Sequence, residues 1–402
     1  MPGGNTRSVL HVDPFPLFFE RGHGSTLTDL DGHQYDDFLC EFTAGIYGHS
    51  NPTILGTLET TTRQGLGLGG HSRHEAKLAE LLVNRFPAIE LVRFCNSGTE
   101  ANLMALGAAR VATGRDKVLV FSGAYHGGVL AFSRPGPINA PFDMVVASYN
   151  DVAETRSKLR LHAPQLAAVI VEPMLQSGGC IPASAEFLHM LRAETIGVGA
   201  LLIFDEVVTS RLHPGGIHGA LGLRPDLVTL GKYIGGGLSF GAFGGSRQVM
   251  NLFDPRLPDG VPHAGTFNNN TLSMAVAFAG LSELYTPDAA IALNARGEQL
   301  RAKLNALAKA GCVRLQFTGI GSIIAAHPTT KKLLSAEDAA EGELALRELL
   351  FFHLLERGVY IAKRGMISLA LTTSEAQIRH LEESVAQFIE AYRHLLKDPD
   401  QN

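Results

Sequence analysis

The chain has 402 residues, 45% of them apolar and 18% charged, a balance that excludes disorder and supplies a sizeable buried core. Its 34 basic and 39 acidic side chains leave a formal charge of −5 with no long run of either sign. That excludes a nucleic-acid or membrane-surface protein, because phosphate binding needs clustered Lys and Arg. Cys40, Cys95, Cys180 and Cys312 form no CxxC pair, so no zinc framework or disulfide scaffold is expected. All four are expected as buried small hydrophobes of a reducing compartment. The N-terminus lacks a basic segment ahead of an unbroken apolar stretch, and the longest apolar runs fall far short of the ~20 residues of a membrane span. A soluble cytoplasmic protein is expected.

In chain order, Asp31-Gly32 comes first, lying between alternating residues as a hairpin signal. Short apolar runs follow at 92–95, 117–121, 144–149, 167–171, 200–204 and 227–230, each reading as a strand buried on both faces. Between them run helical stretches such as 100–112, closed by Gly114. This alternation implies an α/β fold with a mostly parallel central sheet flanked by helices and joined by right-handed crossovers. It places a large domain at 51–284. Beyond it, helices are expected at 287–310, 336–357 and 375–396, with a Ser374–Gln377 capping box and Gly358 closing the second helix. VRLQF (313–317) and SIIAA (322–326) look like strands. Residues 1–50 and 285–402 together would form a smaller, discontinuous α+β domain.

Ligands of open α/β sheets lie beyond the carboxyl ends of the strands. Ser97-Gly98-Thr99 sits at such an end, where free N–H groups, two hydroxyls and a helix dipole would converge on a phosphate; plain helix capping explains the same residues. Lys232 directly follows a strand inside a glycine-rich turn, where a lowered pKa would allow Schiff-base chemistry; an ordinary loop lysine is the alternative. A P-loop is excluded because Asp226 stands where its first glycine would be. Asp205 ends an apolar strand and needs a cationic partner, which a pyridinium nitrogen, an arginine or a metal beside Glu206 could supply. Tyr125, before His126 and Gly127, could stack on a flat ligand or simply pack. Phosphate cup, lysine, acid and aromatic at one sheet edge together match what pyridoxal phosphate (PLP) requires.

With these motifs the sequence resembles the fold-type I PLP enzymes, specifically the class III aminotransferases. The matching segments are 96–102 (NSGTEAN), 125–127 (YHG), 172–173 (EP), 205–207 (DEV), 231–237 (GK and glycines) and 265–267 (GTF). PGGNTRS (2–8) and GTFNNN (265–270) resemble the branch holding glutamate-1-semialdehyde aminomutases and β-amino-acid aminotransferases, and above all the β-phenylalanine aminotransferase type. Relatives of that kind carry a helical segment ahead of PGGN, where this chain begins.

The resemblance implies that Lys232 forms the Schiff base with PLP, Asp205 partners the pyridinium nitrogen, and Ser97, Gly98 and Thr99 hold the phosphate. It further implies that Tyr125 and Val207 cover the two ring faces and that His126 and Glu172 line the site. Thr266 would reach the phosphate of a neighbouring subunit, making a homodimer with a shared active site. Arg7 and Arg364 would bind substrate carboxylate, and no metal is implied. The expected reaction is ping-pong transamination of a β-amino acid, aromatic or aliphatic, with a 2-oxo acid such as 2-oxoglutarate or pyruvate. Asn268-Asn269-Asn270, in place of the commoner Gly-Asn-Pro-like turn, speaks against the aminomutase. An aminomutase or racemase on the same scaffold, a non-catalytic PLP-fold binding protein and, more distantly, a metal hydrolase using Asp205 and Glu206 are the rivals.

Overall fold

The computed structural model describes residues 1–14, 16–132, 138–340 and 344–397. Its centre is a seven-stranded sheet in the order Leu91–Cys95, Gly241–Gly245, Leu227–Gly231, Leu201–Asp205, Leu166–Val171, Lys117–Phe121 and Asp143–Ala147. Six of these strands run parallel, and Gly241–Gly245 runs against both of its neighbours. The expected apolar runs are thus strands, with ends displaced by one or two residues. Leu166–Val171 and Leu227–Gly231 are buried along their whole length and Leu201–Asp205 at all but its first residue, so both sheet faces must be apolar and alternation disappears.

The seventh strand breaks the expected reading, because its sequence GAFGG has neither an apolar run nor a β-branched residue. Its glycines answer to proximity. A Cβ on Gly241 would sit 2.2 Å from the Ser97 carbonyl oxygen, and one on Gly245 2.1 Å from that of Asp226. Close approach of backbone has displaced β-propensity as the selecting force.

Residues near both ends of the chain share a second sheet of four strands, Phe19–His23, Thr26–Asp29, Gln34–Asp37 and Val359–Tyr360. The expected hairpin is present as the antiparallel pairing of Thr26–Asp29 with Gln34–Asp37. A third sheet joins Gln316–Ile320, Ile323–His327 and Met366–Ser368, so the strand expected at 313–317 begins three residues later. The Pro287–Ala310 helix has its expected bounds, starting on the Thr286 cap and Pro287. The region expected as one helix over 336–357 contains helices Ala336–Ala340 and Leu344–Glu356, with 341–343 outside the described residues. The last helix, Glu375–Ala391, ends five residues short of the expected 396, although its capping box on Ser374 and Gln377 is formed. Cys40, Cys95 and Cys180 are buried and all four cysteines are free, but Cys312 is exposed, beyond the packed end of the Pro287–Ala310 helix. No helix among the described residues is long and apolar enough to cross a membrane.

Candidate active site

Five segments leave the central sheet at its carboxyl edge and converge on one cavity of about 170 Å³. From Leu91–Cys95 the chain turns into the Gly98–Thr113 helix, with Ser97 as its cap: the Ser97 hydroxyl accepts from the Glu100 N–H at 3.1 Å. The N–H groups of Gly98 and Thr99 belong to the first turn, which has no internal acceptors for them. From Leu201–Asp205 comes Asp205, 5% exposed. Its Oδ2 accepts from Asn102 Nδ2 and His126 Nδ1, both at 2.8 Å, and its Oδ1 from the Val207 N–H at 3.1 Å. The Thr229 hydroxyl lies 3.4 Å from Oδ1, so polar groups from four residues fix the orientation of the carboxylate.

Lys232 follows Leu227–Gly231 with φ +49°, a left-handed conformation that a side chain adopts at a cost of about 1–3 kcal/mol. Burial lowers its pKa from the ordinary 10.5, against the opposing pull of Asp205 and Glu172. Glu172 follows Leu166–Val171 and accepts from the Tyr125 N–H at 2.9 Å and the Gln176 N–H at 3.3 Å. Burial raises its pKa; His126 works against the rise and Asp205 with it. Tyr125 itself is 42% exposed at the rim.

The structure therefore brings Gly98, Thr99, Tyr125, His126, Glu172, Asp205, Val207 and Lys232 onto one cavity, with Ser97 beside it. Arg7 and Arg364 do not line it; each guanidinium lies 5.2 Å from the centre of the Phe42 ring, and both charges are felt at Lys232. Arg7 also faces Glu41 at 3.8 Å. Thr266 is not in this cavity. It is exposed, next to Gly265, which lines a separate cavity with Arg93, His263 and Asn268. Glu206, the second acid of the strand end, points away: it accepts from the Ile217 N–H, the His218 N–H and His218 Nδ1. It is thus a buried anchor for the Gly216–Ala220 helix, which removes it from a metal pair with Asp205. Sequence reasoning missed Asn102, whose Nδ2 holds Asp205 while its Oδ1 accepts from Thr229 at 2.6 Å. A polar residue one helical turn beyond the cap, on the face that otherwise carries alanines, was the available signal.

This edge-of-sheet constellation on a seven-stranded sheet defines a fold-type I PLP enzyme. The sequence profile of the class-III aminotransferases matches residues 8–389, and the chain belongs to that family. It is 53% identical over 397 residues to the β-phenylalanine transaminase of Variovorax paradoxus, spanning 98% of this chain and 91% of the relative. The solved structure of a β-phenylalanine aminotransferase from that organism superposes with a TM-score of 0.97 at 52% identity, covering 99% of this chain and 92% of the other. A transaminase solved with PLP bound gives a TM-score of 0.89 at 32% identity, with coverages of 97% and 94%. A glutamate-1-semialdehyde 2,1-aminomutase of Pelotomaculum thermopropionicum is 36% identical over 421 residues, covering 99% and 94%.

The protein is a PLP-dependent class III aminotransferase, and its cavity suits that cofactor. Cβ atoms on Gly98 and Gly127 would fall 2.8 Å from Val207 and 2.2 Å from Thr99, so both floors of the cavity are glycine because they are packed tight. The donor set is right as well: uncommitted helix N–H groups for a phosphate, a firmly oriented carboxylate for a ring N–H, and a lysine of lowered pKa.

Proposed function

We propose that this enzyme transaminates β-amino acids, with a β-phenylalanine-like donor and a 2-oxo acid acceptor. The observation that carries the reading is the pair of arginines about Phe42, within electrostatic reach of Lys232. A β-amino acid carries its carboxylate one carbon further from the reacting centre than an α-amino acid does, and a planar guanidinium pairs with it bidentately. The identity to the Variovorax paradoxus enzyme supports the same substrate class.

Bound PLP supplies an electrophilic carbonyl carbon and a ring able to store the electron pair released at the amine-bearing carbon. Lys232 Nζ, made less basic by burial, is the residue that would hold the cofactor covalently and, when free, would take up the proton from that carbon. Asp205 keeps the ring nitrogen protonated, and Asn102 and His126 hold its carboxylate in place. Ser97, Gly98 and Thr99 bind the phosphate; Tyr125 and Val207 sandwich the ring, and Glu172 lines the site. Arg7 and Arg364 orient the carboxylate.

Thr266 acts in the second subunit of a homodimer, a reading supported by its exposure beside Phe267, which is 66% exposed. Four free cysteines support a cytoplasmic setting. The same reading divides the chain into a cofactor-binding lobe, 51–284, and a smaller lobe of 1–50 and 285–402. The pairing of Gln34–Asp37 with Val359–Tyr360 supports that division.

Lys232→Ala is expected to abolish turnover and the borohydride-fixable yellow cofactor; survival of both would remove Lys232 from its role. Omitting the 2-oxo acid separates the rival chemistry, because only transamination stops without an acceptor. Continued turnover of the amino acid would favour an aminomutase or racemase.

A further inference from the structure

Four consecutive residues, Cys40, Glu41, Phe42 and Thr43, hold φ of +47°, +49°, +53° and +81°, all in the left-handed region. Nowhere else among the described residues do two neighbouring non-glycine residues share that conformation. A Cβ crowds the following carbonyl oxygen there, so such residues normally occur singly, and a run of four needs outside support. The support comes at both ends. Asp37 Oδ1 accepts from the Leu39 and Cys40 N–H groups, each at 2.9 Å, and the Cys40 carbonyl accepts from the Gly45 N–H at 2.9 Å. At the far end the Thr43 carbonyl accepts from Arg211 Nη1, also at 2.9 Å.

Arg211 is fully buried, and no carboxylate pairs with it among the described residues. Its guanidinium donates instead to oxygens from three stretches of chain: the Thr43 carbonyl, the Ser322 hydroxyl, and the Ser368 hydroxyl with the Leu369 carbonyl. Burying a cation away from any carboxylate is costly, and an apolar side chain would fill the space without that cost. What the planar fork adds is direction, several bonds fixed at once.

The turn carries the substrate end of the site. Arg7 and Arg364 each place their guanidinium 5.2 Å from the centre of the Phe42 ring, and the Glu41 carboxylate lies 3.8 Å from Arg7. Two arginines from opposite ends of the chain thus share one aromatic ring as their common reference.

We propose that Arg211 is a positioning residue: it holds the left-handed turn that sets Phe42, and through Phe42 the two arginines that receive the substrate carboxylate. The inference rests on the β-amino-acid reading and adds to it a residue outside the cavity lining.

The test is KM and kcat of the holoenzyme for β-phenylalanine in wild type, in Arg211→Lys, in the pair Arg7→Ala with Arg364→Ala, and in all three combined. Lysine keeps the buried charge, but its single nitrogen cannot bridge Thr43 and Leu369. Arg211→Lys is therefore expected to raise KM roughly threefold, the scale of a lost cation–ring contact, with kcat held. In the arginine-free background the same substitution is expected to change nothing, because it acts through those guanidinium groups. Phe42→Leu keeps the turn packed but removes the ring, and it is expected to give the same rise with the same background dependence; it decides the matter if Arg211→Lys does not fold. An unchanged KM in either folded variant, a loss confined to kcat, or an equal rise in the arginine-free background would overturn the positioning role. If the arginine pair itself left KM unchanged, the carboxylate reading would fall and this inference with it.

Discussion

Burial strips the Lys232 ammonium of water, and the neighbouring carboxylates of Asp205 and Glu172 restore only part of that loss, so the net shift is downward. This has a sign that can be checked. A lysine whose pKa is lower folded than unfolded binds fewer protons in the folded state, so the cofactor-free protein gains stability as pH rises through the window between the two values. Below that window the full penalty is present. Apo Lys232→Met, which has no ammonium to bury, is therefore expected to melt above the apo wild type at pH 7, with the gap closing as pH rises towards 10.5. A gap independent of pH, or of opposite sign, would refute the attribution to burial. Lys232 and Asp205 were legible because each ends an apolar run, where a charge has no structural reason to be. Asn102 and Glu206 were not. Which of two adjacent acids faces the cavity depends on the direction in which each side chain leaves the strand end, and Glu206 turns to the Gly216–Ala220 helix.

At the scale of elements, the proposed phosphate end of the cavity depends on how tightly the Gly241–Gly245 strand packs against the cap of the Gly98–Thr113 helix. A methyl group on Gly241 would collide with the Ser97 carbonyl at 2.2 Å, a contact with backbone that no rotamer change relieves. Gly241→Ala should cost about 1–3 kcal/mol of stability, the usual range for overpacking, and should also weaken PLP retention because the displaced residue is the helix cap. Thermal melting and cofactor titration measure the two effects; unchanged retention would mean that the cap moves independently of the phosphate site. Six of the seven central strands were readable as apolar runs. The seventh was not, because periodicity and propensity report burial of side chains, and this strand is selected for having almost none.

For the whole molecule, a single chain supplies every residue that lines the cavity, and Thr266 sits exposed beside the solvent-facing Phe267. In the proposed homodimer, Phe267→Asp places a charge in the interface. It is expected to shift the protein to monomer in sedimentation and to release PLP, with the Lys232 side of the site untouched. A variant that stays dimeric and retains PLP would place the interface elsewhere. Charge and composition set the outer limits at this scale: a formal charge of −5 without basic clusters leaves substrate carboxylates to individual arginines rather than to a field.

The sequence by itself determined the α/β class, most central strands and the chemical identities gathered at the sheet edge, because strand-end residues of an alternating α/β chain are bound to lie together. The tertiary structure alone decided which of those residues share a cavity. Burial and hydrogen-bond direction select Asp205 over Glu206, and close packing makes a strand of GAFGG. Local pattern encodes which face is buried; only the closed fold sets what each buried polar group meets.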